Sequence, residues 1–485
     1  MSHTEDIATI VAADPHAPRW HFLAPERTAV PFDPNGAIWW KGRYHLFYIF
    51  QDSDLPNGGH CWGHASSSDL VTWKYHPTAL APAPGDPDTG IFSGGAFLDK
   101  EGVPTIIYHG VGAGTCLARS TDDELLVWEK HPGNPVIPEP EPGAVGQDVY
   151  NVFDPHCWLE GDTYYAILGG KVKPWNLRDT AYLFTSKDLA TWTYERPFYA
   201  PHPHWTGEEE DCACPDFFPL GDRHCLVCIS HPRGARYYLG RWQDETFVPE
   251  QHGRMNWPGG GCFAPETLLD GDGRRVMWAW AIEGRRWMLD AKKALGVMTM
   301  PRVLCLGEDG GLRVSPAVEL EKLRGPGWSG QVALSAAPQV LPIDGDSLEL
   351  RVVLPTPAGG EIHLAVRRTP DDEQSTEVIV DFTAGELRID TSRSGGGDDA
   401  WRPFPLILGG EAQDHPVQRA PFVVPQGEPL ELRIFVDRSI LEIFANDLLC
   451  MTGRCYPSRA DATGVVLSAQ DVDAVAQLEA WPLGH

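Results

Sequence analysis

Three segments of the sequence place carboxylates where they could do chemistry. Asp33 lies in the turn sequence Asp-Pro-Asn-Gly, directly before a run of large apolar residues, and Asp154 has a similar position before another such run. A third segment, 208–211, consists of four consecutive acidic residues. An ionised carboxylate can attack a carbon atom and a protonated one can donate a proton. Considered alone, Asp33 is more simply explained by a hydrogen bond to its own turn.

The element that must position Asp33 is a β-hairpin. Turn residues occupy 34–36, and the apolar runs 37–40 and 44–48 read as two strands joined by a turn at 41–43. A carboxylate at this place is held at the rim of a sheet and not inside it.

The hairpin pattern recurs along residues 7 to about 322 and predicts a propeller. Trp73, Trp128 and Trp192 end similar segments 55 and 64 residues apart, and Phe247 follows 55 residues later. Self-similar short strands at this period are typical of β-propellers, and about 300 residues at this spacing make five blades. Glycine (50) and proline (43) are frequent and helical periodicity is scarce, so the chain reads as all-β.

The last third of the sequence follows a different pattern. Segments such as 348–352 and 430–434 alternate strictly between apolar and polar residues, as in a β-sandwich. We therefore expect three parts: a five-bladed β-propeller over 1–322, a linker over 323–330, and a β-sandwich over 331–485.

Several of these segments together resemble glycoside hydrolase family 32, the family of invertases, levanases, inulinases and fructosyltransferases. The similar segments are 21–25, 33–36, 44–48 with Gln51, the hairpin 186–192, and 435–446 near the C-terminus. The resemblance covers nearly the whole chain. It implies a five-bladed propeller, a C-terminal sandwich, and retaining cleavage of terminal β-fructofuranosyl units from sucrose, fructo-oligosaccharides or fructans, with fructosyl transfer as a variant.

The resemblance also implies roles for two of the carboxylates. Asp33 matches the nucleophile that attacks the anomeric carbon, and Asp154 matches the residue that holds the fructose 3- and 4-hydroxyls and stabilises the transition state. Two departures lie beside them, because Phe32 stands where the family usually has Asn and Phe153 where it has Arg. We expect a drier pocket than that of an invertase.

The main departure from the family concerns the acid/base residue. Residues 214–217 match the third motif, but Ala213 replaces the Glu that transfers the proton in the family. A β-bulge would bring Glu210 into its place, and strict strand alternation would bring Asp211. We predict Glu210, with Asp211 and then Glu266 as alternatives. The other residues expected to bind substrate are Phe32, Asn35, Gln51, Trp62, Phe92, Ser93 and Phe153; Trp62 could equally fill a blade core.

The charge and the cysteine content of the sequence argue against some classes of partner and indicate a cellular compartment. The formal charge is −28 and no basic cluster interrupts it, which argues against nucleic acid or anionic membrane partners. The start of the sequence does not resemble a signal peptide, and no run of about eighteen apolar residues could span a membrane. Eleven scattered cysteines fit reduced thiols in a cytoplasm. No metal or cofactor is expected, although Cys212, Cys214, Cys225 and Cys228 leave a zinc site as an alternative.

Two other functions remain open at the level of sequence. A fructan-binding protein that lost the acid is compatible with Ala213, and a related propeller glycosidase acting on arabinosides is a third possibility. Cleavage of sucrose would separate the enzyme from the binding protein. The oligomeric state is not predicted.

Overall fold

The computed structural model describes residues 6–26, 28–52, 54–55, 59–286, 288 and 293–484. The expectation about a signal peptide concerns a segment of which residues 1–5 lie outside this range. A short helix, α1 (Ile7–Ala13), precedes the first strand, and almost all other regular structure is β. In the described part of the chain, every helix is too short or too polar to cross a membrane.

Five antiparallel sheets follow one another along the first two thirds of the chain. The strands of blades 1 and 2 are β1 (Pro34–Trp40), β2 (Arg43–Gln51), β3 (His60–Ser67), β4 (Trp73–Leu80), β5 (Ile91–Leu98), β6 (Pro104–Gly110), β7 (Gly114–Ser120), β8 (Trp128–Lys130) and β9 (Ile137–Pro138). Those of blade 3 are β10 (Pro155–Glu160), β11 (Thr163–Val172), β12 (Leu177–Ser186) and β13 (Trp192–Pro197).

Blades 4 and 5 complete the set. Their strands are β14 (Ala213–Leu220), β15 (Arg223–Ser230), β16 (Gly234–Gln243), β17 (Thr246–Arg254), β18 (Cys262–Leu269), β19 (Arg275–Ala281), β20 (Arg302–Leu306) and β21 (Leu312–Pro316). The first strand of each sheet packs against the first strand of the next, and β18 returns to β1. The five blades thus form a closed ring.

The repeat detected in the sequence marks the outermost strand of four blades. Trp73, Trp128 and Trp192 begin β4, β8 and β13, and Phe247 lies at the start of β17. The indole N–H groups of Trp128 and Trp192 donate to main-chain carbonyls three residues earlier, at 3.0 and 2.9 Å. The same turn is therefore built twice from the same sequence pattern.

Two packed six-stranded sheets form the C-terminal sandwich. One contains, in spatial order, β22 (Trp328–Ala333), β35 (Val475–Pro482), β24 (Ser347–Pro355), β31 (Pro429–Asp437), β32 (Ile440–Ala445) and β33 (Leu449–Arg454). The other contains β23 (Gln339–Asp344), β34 (Gly464–Gln470), β25 (Glu361–Arg368), β26 (Thr376–Asp381), β27 (Glu386–Asp390) and β30 (Val417–Pro421), and a small ribbon pairs β28 (Pro403–Phe404) with β29 (Gln413–Asp414). Their apolar faces enclose a separate core. The predicted all-β fold, a five-bladed propeller followed by a sandwich, is confirmed.

The propeller and the sandwich share buried contacts. Phe435 and Phe444 of the sandwich are fully buried and belong to the same apolar cluster as blades 1, 4 and 5. Within this junction Glu442 accepts hydrogen bonds from Arg302 (2.9 Å) and contacts the His21 ring (3.2 Å). The two parts are therefore joined by apolar surface and by a buried ionic network.

The pocket end of the inner strands is irregular in a repeated way. The register shifts near the start of β1, β5, β14 and β18, and positive φ angles occur at Gly36, Asp154, Cys214 and Ala264. Bulges re-aim side chains out of the regular alternation. Asp33 and Asp154 lie at the same end of the inner strands, directly before β1 and β10.

Candidate active site

Asp33 is fixed by contacts from two blades. Its backbone carbonyl accepts from the side-chain amide of Asn35 (2.7 Å), and the other end of that amide accepts from Gly94 N–H (2.9 Å) on β5. The hydroxyl of Ser93 donates to Asp33 Oδ2 at 2.7 Å. The carboxylate is buried, and its Oδ1 has no hydrogen-bond partner among the described residues. One oxygen is thus held by Ser93, while the other is buried without a hydrogen-bond partner among the described residues.

The thiol of Cys214 lies between Asp154 and Asp33. Cys214 donates to Asp154 Oδ2 from its backbone N–H (3.0 Å) and from its Sγ (3.5 Å), and the same sulfur lies 3.8 Å from Asp33 Oδ2. Both Asp154 (φ 39°) and Cys214 (φ 45°) have left-handed backbones. For residues other than glycine this costs about 1–3 kcal/mol each, and such strain concentrates at functional sites.

The two carboxylates disfavour each other's charge. Burial, followed by the charge of Asp33, raises the pKa of Asp154 to about 7. Burial also raises the pKa of Asp33, and the hydrogen bond from Ser93 opposes that effect. Burial raises the pKa of Cys214 well above its ordinary value, so the thiol stays protonated and can donate. The arrangement combines two closely spaced carboxyl groups in a dry pocket.

Glu210 is not placed to act as the acid, contrary to our prediction. Its carboxylate is buried and accepts hydrogen bonds from Arg236 (2.7 Å) and Arg254 (2.7 Å). Burial works against its charge, but the hydrogen bond from Arg254 and the charges of Arg236 and Arg254 prevail and lower its pKa to about 2. A group that remains ionised under two guanidinium ions cannot donate a proton near neutral pH. The bulge of β14 begins at 213, too late in the chain to turn Glu210 inward.

Asp211 contacts His231, a residue that the sequence analysis did not single out. One of its oxygens accepts from the backbone N–H of His231 (2.9 Å) and the other lies 2.5 Å from His231 Nδ1. The alternative in which Asp211 itself is the acid is therefore also wrong, because the hydrogen bond and charge of His231 counter burial and keep its pKa low. His231 directly follows β15, and no motif marks it.

Two aromatic residues expected to contact the sugar lie in the core instead. Phe32 is fully buried, with its ring 5.4 Å from that of Tyr48. Trp62 is also fully buried, and its indole N–H donates to the carbonyl of Phe92 at 3.0 Å. The predicted contacts of Phe32 and Trp62 with substrate are wrong because both side chains are buried between blades, Phe32 in the cluster of blades 1, 4 and 5 and Trp62 in that of blades 1 and 2.

The remaining predicted residues divide into supporting and lining groups. Asn35 and Ser93 support Asp33, as described above. Glu266 accepts from Ala37 N–H at 3.0 Å beneath the bulge of β1, and burial, followed by the charge of Asp216, raises its pKa well above the ordinary value. Glu266 therefore holds the hairpin of Asp33 from below. Gln51 contacts His60 at 2.9 Å at the edge of blade 1.

Phe92 and Phe153 are partly exposed and line the mouth around the carboxylates. The ring of Phe92 lies 4.7 Å from His60, and that of Phe153 lies 5.2 Å from His109. A cleft of about 620 Å³ opens beside Phe153 and includes Glu139, Tyr150 and Lys173 in its walls. It is wide enough for part of a saccharide next to Asp154.

The cysteines give no support to the zinc alternative. Cys214, one of the four residues concerned, is directed at the two carboxylates, and Cys225 is buried in the apolar core. In the part of the chain that the structure describes, no group of three or more His, Cys, Asp or Glu side chains is arranged to hold a metal ion.

Comparisons with known proteins agree with this architecture. Residues 21–316 match the model of the glycosyl hydrolases family 32 N-terminal domain, and residues 319–482 match that of the family 32 C terminal. The chain is 33% identical over 446 residues to the sucrose-6-phosphate hydrolase of Salmonella typhimurium, covering 82% of this chain and 90% of that protein. It is 29% identical over 469 residues to the raffinose invertase of Escherichia coli, covering 91% and 90%. Fructan 1-exohydrolase IIa from Cichorium intybus has the same fold, with a TM-score of 0.79 over 97% of this chain and 98% of that one at 22% identity.

Proposed function

This chain belongs to glycosyl hydrolases family 32, and we propose that it is a retaining enzyme that removes terminal β-fructofuranosyl units from sucrose, fructo-oligosaccharides or fructans. The observation that carries the proposal is the pair Asp33 and Asp154, brought together on the thiol of Cys214. In retaining glycosidases a carboxylate beside the scissile bond acts as the nucleophile and forms a covalent glycosyl-enzyme intermediate.

Asp33 has the role of nucleophile in this proposal. Its unpartnered Oδ1 attacks the anomeric carbon of the fructosyl unit, and a fructosyl ester forms as the glycosidic bond breaks. Ser93 and Cys214 hold the other oxygen, so the attacking atom is aimed by contacts that do not have to reorganise during the reaction.

Asp154 has the role of transition-state stabiliser. In its ionised form it accepts hydrogen bonds from hydroxyls of the fructosyl ring, and these bonds strengthen as positive charge develops on that ring. The cleft beside Phe153 receives the leaving group. Phe153 offers an apolar face there, and Glu139, Tyr150 and Lys173 offer polar groups, so this side of the pocket can contact both the face and the hydroxyls of a sugar ring.

The cysteines support a reducing compartment. All eleven are free, and all but Cys305 and Cys214 are buried. Such usage fits the cytoplasm, where sucrose, its phosphate and short oligosaccharides are more accessible substrates than extracellular polymers.

The proposal is tested by incubating the purified protein with sucrose, sucrose 6-phosphate, inulin, levan and short fructo-oligosaccharides. We expect release of fructose from at least one of them, with β-fructofuranose as the first anomer seen by proton NMR, since two displacements retain the configuration. Binding of a fructan by calorimetry without any release of fructose would favour a binding protein. Release of the α anomer first would contradict a retaining mechanism.

A further inference from the structure

The acidic segment 208–211 does not face the pocket as a group. Glu209 pairs with Arg233 at 2.6 Å and Glu210 pairs with Arg236 and Arg254, all on or beside the β15–β16 and β17 strands. Asp211 is bound instead to His231. Three consecutive carboxylates thus fasten this segment to the neighbouring hairpin, and only the contact of Asp211 with His231 ends near the two pocket carboxylates.

Strand register places His231 beside the position of Ala213. Ala213 on β14 is paired with Ile229 on β15. Asp211 and His231 lie two residues beyond this pair, just outside the ends of β14 and β15, and their side chains contact each other there. The imidazole is therefore held at the end of the strand pair that carries Ala213.

The imidazole also contacts the wall of the pocket. Its ring centre lies 6.2 Å from that of Phe153, the residue before Asp154, and 6.1 Å from that of Phe263. Nδ1 is committed to Asp211, and Nε2 has no hydrogen-bond partner among the described residues. The side chain is about 18% exposed, so the imidazole is not sealed from the solvent.

We propose that His231 is the acid/base residue of this enzyme and that Asp211 is its positioning residue. The inference rests on the proposed function, because it supplies the proton donor for the same fructosyl transfer. A carboxylate that accepts from Nδ1–H fixes the ring and its tautomer and stabilises the imidazolium, leaving Nε2–H to act on the substrate.

The charges around His231 favour its acid form. Burial works against the imidazolium, but the hydrogen bond and charge of Asp211, followed by the charges of Asp154 and Asp33, raise the pKa of His231 above its ordinary value. On the other side, Arg236 donates to the backbone carbonyl of Asp211 and holds that residue in place. These charges favour the protonated ring that an acid catalyst requires.

The two chemical steps balance in protons and charge. In the first, Asp33 forms an ester bond to the anomeric carbon, the glycosidic bond breaks, and the leaving oxygen takes the proton from Nε2. In the second, neutral His231 takes a proton from water, the water oxygen attacks the anomeric carbon, and the ester bond to Asp33 breaks. Free fructose leaves, and the imidazolium and the carboxylate are restored.

The first test compares His231→Gln with wild type on sucrose and on p-nitrophenyl β-fructofuranoside, whose leaving group needs no proton. We expect kcat/KM for sucrose to fall about 10²–10⁴-fold, the usual contribution of a proton-transfer group, and kcat/KM for the aryl fructoside to change less than about tenfold. Azide should accelerate the variant on the aryl substrate and give fructosyl azide, because azide attacks the ester without a base. His224→Gln, on the other end of β15, is the matched control and should behave like wild type.

The second test uses Asp211→Asn, which keeps an acceptor for Nδ1 but removes the charge. The pH at which kcat for sucrose falls on the basic side should move to lower pH, since the imidazolium loses a stabilising anion, while KM changes little. A purely structural role for Asp211 would not move this limb. Glu209→Gln on the same segment should leave the profile unchanged. The Asp211 variant also keeps the proposal testable if His231→Gln does not fold.

The outcomes separate the two proposals. If wild type cleaves both substrates and His231→Gln equals wild type on both, the role of His231 is overturned and the fructosidase function stands. An Asp211→Asn profile identical to that of wild type overturns the positioning role. If wild type cleaves neither of these substrates nor any of the natural fructosides named above, the proposed function fails and this inference fails with it.

Discussion

At the scale of single residues, the pocket is organised around Cys214. Its thiol and backbone N–H reach Asp154, and the thiol also reaches Asp33. A neutral thiol between two buried carboxylates lets them approach without a cation between them. Burial and the charge of Asp33 raise the pKa of Asp154 to about 7, although its hydrogen bonds from Cys214 act in the opposite direction, so its charge depends on the pH of the assay.

Asp154→Asn should lower kcat by about 10²–10³-fold, as for other groups that stabilise a developing charge. The amide is nearly isosteric and can still accept from Cys214 N–H, so the fold should persist. Steady-state kinetics and a thermal melt check both statements. Asp99→Asn is the control, since Asp99 is a turn residue that accepts from Glu101 and Val103 N–H on the outside of blade 2. An unchanged kcat with a lowered Tm would assign Asp154 the same purely structural role.

The activity on an aryl fructoside should fall as the pH decreases through about 7. Burial and the charge of Asp33 raise the pKa of Asp154, so the ionised form that the mechanism requires prevails above that pH and is lost below it. The profile of kcat/KM reports the pKa values of the free enzyme. A kcat/KM that stays constant down to pH 5 would contradict the loss of the ionised form of Asp154 below about pH 7.

At the scale of elements, the bulges of the inner strands determine which side chains reach the pocket. The resemblance to the family singled out Asp33 and Asp154, each in a contiguous motif, whereas Cys214 was only part of a matched motif and its place between the two carboxylates was not predicted. His231 could not be predicted, since its contact with Asp211 depends on the register of β14 with β15. The burial of Phe32 and the direction of Glu210 towards Arg236 and Arg254 were not predicted either, because alternation predicts a face only where the strand is regular.

Gly94→Ala tests how far the bulge of β5 controls the site. A Cβ at Gly94 would lie 2.0 Å from the carbonyl oxygen of Ile107, so the backbone must shift. We expect a loss of about 1–3 kcal/mol in the free energy of unfolding and at least a tenfold lower kcat/KM, because Gly94 N–H anchors Asn35 and Ser93 precedes it.

The neighbouring Gly95→Ala is the matched control for that change. A Cβ at Gly95 would meet its nearest atom, His156 Nδ1, at 3.4 Å, which is ordinary contact. Urea unfolding and kinetics on the two variants should differ clearly. Equal behaviour of both variants would mean that the strand adapts and that its bulge does not fix the carboxylates.

At the scale of the whole molecule, the sandwich stabilises the propeller from one side. Blades 1, 4 and 5 share an apolar cluster with Phe435 and Phe444, and Glu442 is buried between Arg302 and His21. Removing the charge of one partner in a buried ion pair leaves the charge of the other partner uncompensated. The propeller that carries the site is therefore not expected to be stable without the sandwich.

Glu442→Gln should lower the free energy of unfolding by about 3–5 kcal/mol, because Arg302 keeps its charge in a buried place. Glu479→Gln is the control, since its pair with Arg351 is about 40% exposed and should contribute at most about 1 kcal/mol. Urea unfolding of both variants measures the difference. Similar midpoints would show that the propeller and the sandwich are held together by apolar contact alone.

Mass spectrometry can identify the residue that carries the fructosyl unit during turnover, which we propose is Asp33. The enzyme is mixed with an aryl β-fructofuranoside, quenched in acid during the burst, and digested. We predict that the peptide containing Asp33 gains the mass of one fructosyl unit, and that Asp33→Asn gains none and turns over at least 10³-fold more slowly. An adduct on another peptide, or steady turnover by Asp33→Asn within tenfold of wild type, would show that Asp33 is not the nucleophile.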